Sequence, residues 1–468
     1  MSRKTIAVVG GGISGLAAAW EVVNLGHEVI LLEASGRAGG MLLTAPFAGK
    51  PLDLGPDAFL ARRPEGTALV RELGLGGDLV SPAAGSPSLW MGGELKRLPE
   101  GLLLGLPTDL VAVARSGVLS PLGLARAAAD LVLRGERISP DGPDVAVGPL
   151  VRARLGREVH ERLVDPLLGG INAGDSDVLS LRAGVPQLAA AVTGHRSLLL
   201  AARAARRRSP ARPEDPVFHS VRGGLGKLAD RALRGVIERG GQVVLGFAAA
   251  RLDSRADGRW SVVGGSGARF TADSVVLAVP AAAAAPLLEP HDASAASLLA
   301  GIATASVAIV CLAYRVEDVG HPLDGSGFLV PRTEGRLMTA CSWSSSKWPH
   351  VAAPGTAVLR VSVGRAGDGR AMALDDRTLL TRIHAEVTAA LRITGSPTAE
   401  RVVRWPNAFP QYAPGHLEVV ASIRGGTPAG VELAGATYEG VGIPACIGSG
   451  RAAARRASAH AVGRPPNP

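Results

Sequence analysis

Short apolar runs, glycine turns and amphipathic stretches follow one another along the chain. Ile6 to Val9 is apolar throughout, too short for a helix and without polar alternation, so it predicts a buried strand. The turn Gly10-Gly11-Gly12-Ile13-Ser14-Gly15 follows, then an alanine-rich helical pattern from about Ser14 to Leu25 that Gly26 closes. A second apolar run, Val29 to Leu32, ends in Glu33. Further on, the pattern predicts a short strand at 50–54, a helix from Pro64 to Leu73 and a hairpin from Ser88 to Leu98 around Gly92-Gly93. Residues 107–205 change character. They are helical and rich in Leu, Ala and Arg, broken by Gly and Pro at 117, 121 and 140–149, and 165–175 inside them reads as a small-residue loop between helices. Such a loop serves a close ligand approach and an ordinary interhelical turn equally well. Residues 206–219, rich in Arg and Pro, read as a mobile loop or linker. After them come a helix from Leu225 through Gly235, a strand-like run from Gln242 to Leu252 and a buried strand from Val275 to Val279 before Pro280. Strands and turns alternate over 303–365, a helix covers about 375–392, and 431–461 repeats strand, glycine turn and helix. Residues 464–468 should fray.

Strand, glycine turn, helix, strand and acid form a dinucleotide-binding fingerprint. Gly10 allows a tight exit from the strand, Gly12 lets a pyrophosphate approach the backbone, and Gly15 lets the helix pack close to the sheet. The helix N-terminus offers free N–H groups and the positive end of its dipole to phosphate, around Gly11, Ile13 and Ser14. Glu33, 18 residues after Gly15, can accept hydrogen bonds from ribose hydroxyls and would repel a 2′-phosphate. Arg37-Ala38-Gly39-Gly40 adds a basic residue and a glycine pair suited to a second approach to the same phosphates, an extension typical of FAD proteins of glutathione-reductase type. The expected fold is therefore α/β in a mixed α+β sense: a Rossmann-like FAD-binding domain, a mixed-sheet substrate domain and a helical insert. In chain order these are FAD-binding 1–85, substrate 86–106, helical insert 107–205, FAD-binding 206–290, substrate 291–404 and FAD-binding 405–468.

Composition narrows the function classes. At 468 residues and 47% apolar, with 61 Gly and 33 Pro, the chain is globular and turn-rich. It has no apolar run approaching the roughly 18 residues of a membrane span and no leader pattern before its first strand. Cys311, Cys341 and Cys446 are odd in number and far apart, without metal-ligand spacing, which suits a reducing cytoplasm. The net charge of +9 rests on 50 basic residues, only five of them Lys, and no nucleic-acid motif or aromatic interleaving accompanies it. Such a surface suits steering of an anionic small molecule.

Several segments then resemble the protoporphyrinogen/coproporphyrinogen oxidases of haem synthesis, FAD enzymes of the flavin amine oxidase superfamily. They are LGPDAFLARRP (54–64), LPEGLLLGLPTD (98–109), GGINAGDSDVLSL (169–181), TACSWSSSKWPH (339–350), FPQYAPGH (409–416) and GATYEGVGIPACI (435–447). With Asp57 after Gly-Pro, the chain is similar to the water-soluble bacterial branch, known for coproporphyrinogen III oxidation. It departs from the family at Asn172, where an aromatic residue is usual, and at Ala445, where Asp is usual. The resemblance implies pyrophosphate at Gly10–Gly15, ribose at Glu33 and Ala34, an extension of that site at Arg37, Gly39 and Gly40, flavin along Gly55, Pro56, Asp57 and Ala58, a backbone contact to adenine at Ala249, and completion by Trp405, Val441, Gly442 and Ile443. It places Arg63 and Lys96 near substrate carboxylates and Gly170 and Asn172 at the substrate pocket.

The resemblance also implies the chemistry: six electrons leave coproporphyrinogen III in three two-electron steps through FAD, with dioxygen as acceptor and hydrogen peroxide released. Peripheral membrane contact and the oligomeric state stay open. No residue pattern identifies a catalytic acid or base, and His160, His195, His350 and His416 read as isolated structural histidines. Protoporphyrinogen IX oxidation, another flavin amine oxidase or desaturase activity, and a non-catalytic use of the fold are the alternatives. A colourless purified protein would favour the last.

Overall fold

The computed structural model describes residues 3–83, 85–133, 135, 137–139, 142–208 and 215–463. Residues 464–468, expected to fray, and 209–214 of the expected linker lie outside these.

The N-terminal apolar runs pair as the pattern predicts. Five parallel strands form one sheet in the order Gln242–Leu245, Glu28–Glu33, Thr5–Val9, Ser274–Leu277 and Val431–Leu433. A parallel strand is covered on both faces, which is why Thr5–Val9 is apolar without alternation. Ile6 and Val8 pack with Leu16, Ala18, Trp20, Ile447 and Ala454, on helices Ile13–Asn24 and Ile443–Gly463. Ala7 and Val9 face the other way, toward Phe247, Trp260 and Leu277. That face is covered by the antiparallel sheet Ala249–Ser254, Trp260–Gly264 and Arg269–Ala272. The expected single strand from Gln242 to Leu252 is thus two strands in two sheets. Gly246, at φ 73°, makes the break.

A seven-stranded mixed sheet forms the second layer, in the order Ala399–Pro410, Thr304–Arg315, Thr356–Val363, Met338–Trp343, Gly327–Leu329, Ser88–Met91 and Glu94–Arg97. The last two are the expected hairpin, and Gly92 and Gly93 supply its positive φ angles. Alternate residues of Thr304–Arg315 divide between two cores. Val310, Leu312 and Tyr314 meet Leu379, Ile383 and Val387 of helix Asp376–Leu391, while Ile309, Cys311 and Ala313 meet Phe47, Leu54 and Trp348. The second of these cores joins the nucleotide layer to the substrate layer. The expected boundary at 404/405 falls inside strand Ala399–Pro410, and that at 205/206 inside helix Leu198–Arg208.

The helical insert has its own core, including Val113, Val151, Leu155, Leu163, Leu188 and Leu198. Here the expectation for 165–175 is corrected. Asp165–Asn172 is helix, entered through a π-helical turn at His160–Val164, and only Ala173, at φ 45°, begins the loop. Tertiary packing of Leu163, Val164 and Leu168 outweighs the weak helix propensity of Gly169-Gly170. The expected linker is likewise shortened: Arg206–Arg208 end a helix, and Phe218–Val221 is a strand between Phe59–Leu60 and Leu79–Val80. Among the described residues no helix is long and apolar enough to cross a membrane.

Candidate active site

The glycine turn has the geometry its residue types require. A Cβ on Gly10 would lie 2.4 Å from the Ala278 carbonyl oxygen, and one on Gly15 would lie 1.8 Å from the Gly10 oxygen. Both are contacts within the protein. Gly12 differs: a Cβ there meets nothing within 4 Å. No side chain caps helix Ile13–Asn24 and no acid occupies its first turn. Its leading N–H groups and positive dipole end therefore face the open space beside Gly12, a cradle suited to a pyrophosphate.

Glu33 reaches back over this turn. Its Oε2 accepts from Gly11 N at 2.6 Å, and its Oε1 accepts from Ser35 N at 2.8 Å and Ser35 Oγ at 2.7 Å. The carboxylate is thus fixed at the strand end, beside exposed Ala34, with lone pairs left for hydroxyl donors. The 37–40 segment packs on the turn itself. Gly39 N donates to Gly11 O at 2.8 Å, and a Cβ on Gly40 would stand 3.1 Å from Gly12 Cα. Arg37 folds onto its own loop, donating to the Ala38 and Gly40 oxygens. Phe247 N donates to Glu33 O at 2.8 Å and Gly246 N to Ser35 O at 2.9 Å, which brings Ala249, two residues after Phe247, close to the strand end at Glu33.

Gly55 cannot carry a side chain, because a Cβ would lie 1.9 Å from Met41 O. Trp405 Nε1 donates to Leu54 O at 2.9 Å, so Trp405 lies against the 55–58 turn. Asp57 is turned toward the seven-stranded sheet. Its Oδ2 accepts from Lys347 Nζ at 3.0 Å and Trp348 Nε1 at 2.9 Å, and lies 3.2 Å from Arg360 Nη1. Burial alone would raise this carboxyl, but Lys347 and Arg360 outweigh it and hold Asp57 well below the usual carboxylate range. Arg360 also donates to Gly55 O. The Asp57 carboxylate therefore fixes the turn, and neighbouring Pro56 and Ala58 make none of these contacts. Nearby Asp53 behaves oppositely. Burial pushes it up to about 6, against the pull of Thr44, Arg360 and Leu225 N. Its Oδ1 accepts from Leu225 N at 2.8 Å and from Thr44 Oγ1, tying the antiparallel pair Thr44–Phe47 and Lys50–Asp53 to the start of helix Gly226–Glu238.

The closing motif meets the first one at Ser14. A Cβ on Gly450 would be 2.0 Å from Ser14 O, so only glycine permits this crossing of helices Ile443–Gly463 and Ile13–Asn24. Val441 and exposed Gly442 lead into that helix, with buried Ile443 as its first residue. Cys446 sits in its first turn. Burial pushes its thiol up to about 11, against a hydrogen bond to Ser14, so it offers no thiolate at neutral pH.

The four expected substrate residues are divided. Arg63 precedes helix Pro64–Glu72 and pairs with Glu65 at 3.3 Å. Lys96, on the edge strand Glu94–Arg97, donates to Gly117 O at 3.3 Å. Gly170 and Asn172 share helix Asp165–Asn172. Gly170 faces Leu329, with a Cβ position 3.4 Å from its Cδ2. Asn172 is buried, and its side-chain amide donates to Leu168 O at 3.1 Å, within its own helix. Its carbonyl accepts from Gln411 Nε2 at 3.2 Å.

Two histidines have structural surroundings. His416 contacts Thr437 O at 2.9 Å and stacks on Tyr412 at 4.2 Å. His160 is not isolated: its Nε2 lies 2.9 Å from Ser176 Oγ, which donates to Asp165 Oδ1 at 2.5 Å. Lys347, Trp348 and Arg360, which the sequence pattern gives no role, hold the Asp57 turn. The adjacent Lys and Trp of the 339–350 segment were the only signal for them.

The chain matches the family model for flavin-containing amine oxidoreductases over residues 13–458. It is 38% identical to a coproporphyrinogen III oxidase of Mycobacterium leprae (strain TN), covering 97% of this chain and 98% of that one. Its identity to a coproporphyrinogen III oxidase of Bacillus subtilis (strain 168) is 34%, covering 96% and 97%. The crystal structure of a candidate protoporphyrinogen oxidase from Exiguobacterium sp. 255-15 superposes with a TM-score of 0.86 at 31% identity, covering 98% and 99%.

Proposed function

We propose, for a chain that belongs to the flavin-containing amine oxidoreductase family, an FAD-dependent oxidation of coproporphyrinogen III to coproporphyrin III in porphyrin and haem biosynthesis. Dioxygen is the proposed acceptor, hydrogen peroxide the by-product and the cytoplasm the compartment. The observation that carries this reading is the end-to-end likeness to coproporphyrinogen III oxidases from two separate bacterial genera.

FAD fits the residues present: an uncapped helix start, an open glycine cradle, a fixed ribose carboxylate and a second glycine turn meeting the first at Ser14. Bound there, it supplies a two-electron acceptor for the meso carbon hydrogens of the substrate. The chain's own residues position and enclose. Glu33 orients the ribose end, Gly39 and Gly40 close over the phosphates, and the Asp57 clamp together with Trp405 fixes the turn beside the flavin. Arg63, Lys96, Gly170 and Asn172 are the proposed substrate contacts, with Arg62 adding positive charge at the approach, while Arg97 is paired to Asp324 at 2.6 Å. A tetracarboxylate gains more from such charge than a dicarboxylate, which favours coproporphyrinogen III over protoporphyrinogen IX.

Side-by-side steady-state kinetics on the two porphyrinogens test this. A higher kcat/KM for coproporphyrinogen III is expected. A higher value for protoporphyrinogen IX refutes the substrate assignment, and a purified protein without FAD refutes the whole reading.

A further inference from the structure

Two arginines outside the sites above meet the end of helix Asp165–Asn172. Arg332 follows strand Gly327–Leu329, whose Leu329 touches Gly170, and Arg365 follows strand Thr356–Val363. Arg332 is anchored by backbone: Nη2 donates to Gly174 O at 3.2 Å and Nη1 to Ala366 O at 3.5 Å. Arg365 is not anchored. Its side chain is 9% exposed, and its nearest acid is Asp368 at 3.9 Å. Among the described residues Arg365 Nε, and Arg332 Nε beside it, are buried without a hydrogen bond.

The surrounding acids have nearer partners. Asp368 is held two-pronged by Arg370 at 2.9 and 2.8 Å. Asp165 accepts from Ser176, and Asp175 accepts from Asp177 N at 2.9 Å. Asp165 and Asp175 each lie 3.8 Å from Arg332, an ion-pair distance that offsets its charge but leaves its Nε without a hydrogen bond. Burial first, and then the like charge of Arg332, work against the protonated form of Arg365. What these acids leave open is hydrogen bonding: Arg365, almost fully buried, has donors that no acceptor meets, and an incoming anion would complete them. A carboxylate matches the fork of donors.

We propose that Arg332 and Arg365 form a carboxylate clamp that receives one acidic side arm of the porphyrinogen. The clamp rests on the porphyrinogen reading above, and its place supports that ligand. Ala366 N donates to Ala173 O at 2.8 Å, which joins the Arg365 loop to the end of the helix bearing Gly170 and Asn172. Ala173, Ala305 and Val307 pack with Ala366 and Trp405. The clamp is thus one side chain removed from Trp405, which abuts the flavin turn.

FAD-loaded R365Q, R365K and wild type are compared for KM and kcat on coproporphyrinogen III, and for binding of the product coproporphyrin III against its tetramethyl ester. One charge-assisted contact predicts a KM about ten- to hundredfold higher in R365Q with kcat within about twofold, and partial rescue in R365K. Wild type should hold the free acid at least about tenfold more tightly than the ester, with the gap narrowing in R365Q. The ester comparison on wild type needs no variant to fold. Equal binding of acid and ester, or an FAD-loaded R365Q with unchanged KM, overturns the clamp. A wild type that turns over no porphyrinogen instead refutes the parent reading, and with it the source of the carboxylate.

Discussion

Replacing Asp57 by Asn should be among the most damaging single changes in the nucleotide layer. Asp57 is 16% exposed, and its partners Lys347 and Arg360 are 15% and 8% exposed. Asn keeps an acceptor for Trp348 Nε1 but removes the carboxylate charge that lies 3.0 Å from one cation and 3.2 Å from the other. Breaking a buried pair by removing one partner costs about 3–5 kcal/mol, because the remaining charge stays buried and uncompensated. Here two cations are left, but Arg360 keeps its bond to Gly55 O, so about 3–4 kcal/mol is expected at pH 7. Urea unfolding followed by tryptophan fluorescence measures it, and K347M in the D57N background should recover part of the loss. The pH dependence gives a second reading. The folded pKa is depressed, so the contribution of Asp57 is fully present above its unfolded value near about 4 and is lost as pH falls through the folded pKa in stronger acid. The gap between wild type and D57N should stay level from pH 8 to 5 and close only below about pH 4. A loss under about 1 kcal/mol, or a gap already closing between pH 7 and 5, would refute the clamp as the reason for the turn's geometry.

Two glycine substitutions should separate cofactor binding from folding. G12A, whose Cβ meets no protein atom, should leave apoprotein stability within about 0.5 kcal/mol and weaken FAD binding, while G15A, aimed at the Gly10 oxygen, should impair folding itself; thermal melts of both apoproteins and FAD titration decide it. E33Q loses a charge-assisted acceptor and should raise the FAD Kd roughly ten- to hundredfold, measured by flavin fluorescence; an unchanged Kd removes Glu33 from the ribose. For Asp53, raised to about 6, the unfolded chain ionises first as pH rises, so wild-type stability should fall between about pH 4 and 6 and level off above. D53N should lack that fall, by up to about 3 kcal/mol, and parallel stability curves for the two proteins would contradict the raised pKa.

The residues around 5–40 were legible because each of their jobs is local: a turn, a close helix, an acid at a strand end. The structure adds that Gly12 alone among Gly10, Gly12 and Gly15 faces open space. The Asp57 clamp was not legible. Lys347 lies 290 residues away, and nothing local marks a carboxylate as destined for a cation in another layer. Gly169-Gly170 misled for the converse reason, since a helix-weakening pair is carried by packing against residues the pattern cannot bring together. Arg332 and Arg365 gave no signal among so many arginines, because burial, not identity, distinguishes them.

The strand order of the parallel sheet has a consequence for synthesis. Its centre comes from residues 5–33, its flanks from 242–277 and its last edge from Val431–Leu433. The helix that crosses Ser14 and Ala18 is Ile443–Gly463, whose Gly450 leaves no room for a Cβ against Ser14 O. A chain growing from its N-terminus at about 5–20 residues per second must therefore carry that face of helix Ile13–Asn24 uncovered for roughly 20–90 s before its partner emerges. Until then Ser14 lacks the neighbour that completes the second glycine turn, so cofactor loading follows synthesis of Ile443–Gly463. The long interval also makes the nascent protein a natural client for factors that shield apolar helices.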